Sequence, residues 1–142
     1  MEIVRQPSRW AQVFDATNGG AKAVSVIEDS ATGVNFIHPW VVQQCNLNPQ
    51  RTARIVHKVI SGNTFPSDEW VEVAWIGKHG RTGVDMFYVA PDGAPIDLLV
   101  GSRFLGDNKD VFFDVRPVEA ALLNVQLKVS VGETQPFVSM EC

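Results

Sequence analysis

His38, His57 and His79 are the first residues to weigh for chemistry, because imidazole can ligate a metal or move a proton near neutrality. A zinc site assembled locally needs histidines or cysteines at short fixed spacings. The chain has no His-x-His, His-x-x-x-His or Cys-x-x-Cys arrangement. His57 stands between Ile55 and Val59 in a strand-like run, which places it at the edge of a core. His38 precedes Pro39 and Trp40, a sequence that suits a packed bend. Nucleophiles give no stronger signal. Cys45 runs into Asn46 and Asn48-Pro49 without a glycine-flanked elbow, and Ser61-Gly62 and Ser102-Arg103 lack the Gly-x-Ser-x-Gly context. Asp107, Asn108, Asp110 and Asp114 could offer oxygen ligands to calcium. Lys109 interrupts them and no Asp-x-Asp-x-Asp-Gly run is present, so they read as a solvated turn. The expectation is a protein with no catalytic residue, no metal and no cofactor.

Two surface features suggest recognition instead. The stretch Gly77–Gly83 holds three glycines together with Lys78, His79 and Arg81, a local concentration of positive charge in an acidic chain. Flexible backbone amides and an arginine can capture an anion or a partner's carboxylate. Trp40, Trp70 and Trp75 are the second feature, since an exposed indole can stack on a sugar or anchor a protein interface. Trp10, Trp40 and Trp70 recur every thirty residues, but their flanking residues differ and no repeat follows.

Composition narrows the partners. The 142 residues suit a single domain over 1–142, and 45% hydrophobic content can fill one core. Acids outnumber bases 16 to 12, for a net charge of −4, which argues against a nucleic-acid binder. The N-terminal residues carry no basic-then-apolar secretory pattern, and no apolar run reaches the roughly 20 residues that span a bilayer. A soluble protein, cytoplasmic at synthesis, is expected. Cys45 and Cys142 read as two separate thiols.

The elements that must position these residues read as strands. Leu123, Val125, Leu127, Val129 and Val131 alternate with Asn124, Gln126, Lys128 and Ser130, the period of an extended segment with one apolar face. Val71, Val73 and Trp75 alternate in the same way, and Arg54, Val56 and Lys58 lie opposite Ile55, His57 and Val59. Turn chemistry at Asn18-Gly19-Gly20, Ala31-Thr32-Gly33, Pro66-Ser67-Asp68 and Pro91-Asp92-Gly93 punctuates the chain. Extended segments are expected near 10–14, 23–28, 34–43, 53–60, 69–77, 84–90, 96–101, 110–116, 122–131 and 136–140, with at most one helical turn at 117–122. The predicted fold is all-β: a single antiparallel β-sandwich of about eight to ten short strands, jelly-roll or Greek-key in type.

The function expected from this pattern is structural. In architecture and composition the chain is similar to minor virion proteins that cap, cement or decorate capsids. That likeness implies self-association or docking on a larger shell, and location in a virion. The alternative is a carbohydrate-binding module that uses exposed tryptophans on a glycan. An enzyme with a site assembled across strands ranks third.

Overall fold

A computed structural model describes residues 9–59 and 62–118. Seven strands form one sheet: β1 (Arg9–Phe14), β2 (Ala21–Glu28), β3 (Phe36–Ile37), β4 (Gln50–Lys58), β5 (Thr64–Ile76), β6 (Thr82–Val89) and β7 (Leu98–Val100). Two short helices, α1 (Pro39–Gln44) and α2 (Ser102–Asp107), lie between strands or after them. The β-rich class read from the sequence holds. The all-antiparallel pairing does not, because β2 runs parallel to β7 and β3 runs parallel to β6.

The strand order is β1-β2-β7-β3-β6-β5-β4, and β1 also pairs with β5 through Gln12↔Ile76 and Val13↔Trp75. Six strands therefore form a closed ring, while β4 projects as the outer arm of a hairpin with β5. Among the described residues, closure removes free edges from the ring and leaves one on β4. The long β5 serves both parts: Thr64–Trp70 pairs with β4, and its C-terminal end meets β1.

Alternation explains how these residues fill the interior. Val71, Val73 and Trp75 turn inward from β5 to meet Ala11, Val13, Val24, Val26, Phe87 and Leu98. Helix α1 adds Val41 and Val42 to this core, and α2 adds Phe104. Trp75, Phe104 and Phe112 form a mutually packed aromatic group, with Phe104 stacked on Phe112 at a 5.4 Å centroid separation. A second cluster joins Phe36, Leu99, Ala90, Ala94 and Ile96 to Val59 and Phe65 of the hairpin.

Several expected elements change on folding. The run 34–43 divides into the two-residue β3 and helix α1. Pro39 sits at the start of that helix, and His38 caps it by accepting the Trp40 amide on its ring. Pro66-Ser67-Asp68 lies inside β5 rather than at a turn. Ser67 Oγ donates to the Glu69 carbonyl, and the facing strand shifts register between Arg51 and Ile55. Around 110–116 the backbone forms an isolated bridge, Trp10↔Phe113, and the Val111 carbonyl accepts the Lys78 amide at 2.8 Å, in place of a full strand. The expected strands at 122–131 and 136–140 lie outside the described residues, as does nearly all of the helical turn expected at 117–122.

Candidate functional site

In the sheet, β2 and β3 flank β7 on either side. The chain leaving β2 must therefore cross the C-terminal end of β7 before it can enter β3. Residues 29–35, Asp-Ser-Ala-Thr-Gly-Val-Asn, make that crossing. Small residues suit it, because another strand's backbone passes directly beneath.

The crossing is pinned along its length. The Asp29 amide donates to the Val100 carbonyl at 2.9 Å, and the Ser102 amide donates to the Thr32 carbonyl at 2.7 Å. The Gly101 amide donates to Asn35 Oδ1 at 2.9 Å. A Cβ on Gly101 would stand 2.6 Å from the carbonyl oxygens of both Thr32 and Val34. Only glycine lets the backbones approach this closely.

Asp29 opens the crossing and is wholly buried, with 0% of its surface exposed. Its Oδ1 accepts the Ala31 amide at 2.9 Å. Thr32 and Ser67 are also buried, as is Gln12, which leaves Asp29 as the one charged residue type in the buried polar set among the described residues. Aspartate is seldom fully buried without a specific role, because removing its charge from water is costly. A buried acid on a loop pinned to the strand beneath it is a candidate functional residue.

One flank of the crossing is apolar. Ile27 and Val34 pack against the cluster formed by Phe36, Leu99, Val59 and Phe65, with Ile55 and Tyr88 at its margin. Phe36 meets Phe65 edge-on at 5.2 Å and His57 at 6.3 Å. The hairpin of β4 and β5 thus rests on the residues that bracket Asp29.

The residues singled out from sequence are dispersed. Lys78 binds Asp110 at 3.0 Å and Asp114 at 3.7 Å, so its charge is matched within the chain. The same ammonium holds the Asp110 carboxyl below its usual range. His79 and Arg81 stand exposed on a 3₁₀ turn at Lys78–Gly80, where His79 adopts a positive φ of 59°. Trp75 is a core residue whose Nε1 donates to Asp85 at 2.7 Å. Trp70 is half-buried in β5. Trp40, 36% exposed, donates Nε1 to Asp97 at 3.0 Å. His57 meets the aromatic margin of the second cluster, as its alternating run implied.

Asp29 escaped the sequence reading, which took Ala31-Thr32-Gly33 only as a turn. The available signal was an acid directly after the apolar strand Val24–Ile27, followed by small residues, with Leu98-Leu99-Val100-Gly101 far along the chain to pass beneath it. Comparison with models of known protein families and with curated proteins finds no match to this chain.

Proposed function

We propose that Asp29 supplies one carboxylate of a hydrolytic acid–base pair, with a second copy of the chain supplying the other, and that the substrate is an extended peptide. The observation that carries this reading is a wholly buried aspartate fixed where the β2–β3 connection crosses β7. Amide hydrolysis needs a base to activate water and an acid to protonate the leaving nitrogen. Two carboxylates that share one proton supply both, the arrangement of aspartic proteases. A two-fold association presents the same surface from each copy and so brings like residues together.

In that pair the ionised carboxylate takes a proton from water as the oxygen attacks the amide carbonyl carbon. The protonated partner gives its proton to the carbonyl oxygen. Collapse of the tetrahedral gem-diol breaks the C–N bond: the proton taken from water passes to the departing amine, and one hydroxyl gives its proton back to the partner carboxylate as it becomes the new carbonyl, which restores the shared proton. The outer edge of β4, unpaired among the described residues, can pair with an extended backbone, and Ile55, Val34 and Ile27 offer apolar contacts to its side chains. Since Asp29 is fully covered within one chain, the proposal includes an opening of the crossing when copies associate or substrate binds.

Incubation of the full chain with a carboxymethylated, unfolded protein between pH 3 and pH 7 tests this reading. Peptide-bond cleavage is expected on the acidic side, with mass spectrometry reporting the sites. Asp29→Asn keeps an oxygen for the Ala31 amide, so the variant should fold while losing about 10²–10⁴-fold in rate. Cleavage by Asp29→Asn at the wild-type rate would refute the assignment.

A second reading, the self-associating structural module that docks on a larger assembly such as a virion shell, is favoured by a different observation. Val84 and Met86 on β6 are 62% and 44% exposed, and Val56 on β4 is also open to solvent. A structural module would retain its association in Asp29→Asn and show no cleavage in either form.

A further inference from the structure

We infer that Asn35 is a positioning residue for Asp29, acting as a clamp that seats the crossing on the junction of β7 and α2; the inference rests on the Asp29 reading above. Its side chain uses both ends. Oδ1 accepts the Gly101 amide at 2.9 Å, and Nδ2 donates to the Met86 carbonyl on β6 at 3.2 Å. One partner is a donor and the other an acceptor, so the amide has a single orientation that satisfies both.

The consequence follows from the ends of the crossing. Asp29 is tied to β7 at its own amide, and Thr32 is tied to Ser102 in the middle. At the far end the Asn35 carbonyl accepts the Tyr88 amide of β6 at 2.8 Å, and the Asn35 side chain reaches the Gly101 amide just past β7. Removing the side chain keeps the backbone bond to Tyr88 but unties the crossing from the β7–α2 junction, where the Gly101 amide loses its acceptor. The carboxylate would then move relative to its counterpart, and misplacement of about 1 Å can cost roughly 10²-fold in rate.

Asn35→Ala and Asn35→Asp in the full chain test the clamp through two readouts. The first is amide hydrogen exchange at Gly101, which needs no activity. The second is kcat and KM for cleavage of the unfolded protein across the pH range. Asn35→Ala should speed Gly101 exchange about tenfold or more and lower kcat with KM nearly kept. Asn35→Asp, which can still accept the Gly101 amide, should restore slow exchange, recover part of kcat and displace the pH profile through its added charge. Unchanged Gly101 exchange in Asn35→Ala overturns the clamp whatever the activity. Faster exchange with unaltered kcat overturns the positioning role. A wild-type chain that cleaves nothing removes the Asp29 reading and this one with it, a result that the exchange data separate from failure of the clamp itself.

Discussion

Single residues show how much local bonding decides in this chain. Asp15 accepts the Thr17 amide and hydroxyl, the Asn18 amide and the Asn46 side chain. These donors, the Thr17 amide foremost, lower its carboxyl from 3.8 to about 2. Because the folded form binds the proton less readily than the unfolded form, the contribution of Asp15 to stability is complete above pH 3.8 and fades as pH falls toward 2. Thermal melts of wild type and Asp15→Asn between pH 5 and pH 2 should show the steeper acid loss in wild type; parallel curves would remove Asp15 from the acid response. Such a residue is hard to find by reading along the chain, since its donors come from its own turn and from Asn46 thirty-one positions away. Asp29 was hidden for a similar reason. Its setting depends on Val100 and Gly101, about seventy positions later, and no spacing rule joins them.

Elements were more legible where one face is buried. Period-two alternation marks the inward set Val71, Val73 and Trp75 on β5 and separates Arg54, Val56 and Lys58 on β4 from Ile55, His57 and, just past its end, Val59. Helix α1 was missed because Trp40-Val41-Val42 has the composition of a strand. Pro39 at its first position and the His38 cap overrode that preference. Parallel pairing was missed because strands such as β3 and β7, only two and three residues long, carry too little pattern to show direction. The crossing itself is the most sensitive joint. Gly101→Ala forces a methyl against backbone oxygens at 2.6 Å, which cannot swing aside as a side chain could. The expected cost is about 1–3 kcal/mol, read as a fall in denaturation midpoint with little change in slope. A variant as stable as wild type would show that the loop yields more readily than its hydrogen bonds imply.

At the scale of the whole molecule, both functional readings require contact between copies or with a partner, through different surfaces. Replacing Val84 and Met86 together with glutamate should leave the melting temperature nearly unchanged, since exposed positions contribute within about 0.5 kcal/mol. If the outer face of β6 mediates association, sedimentation will shift the double variant to a smaller species. If association runs through the crossing, the same variant will sediment like wild type and keep its cleavage activity. The closed ring was not legible from sequence, because its seam consists of two residue pairs between β1 and β5. That seam has a mechanical consequence. β5 acts as a lever whose long arm carries the projecting hairpin and whose short arm latches the barrel shut. A load on the hairpin, whether from a threaded chain or a neighbouring molecule, would be transmitted along one continuous strand to the two residue pairs that join β5 to β1.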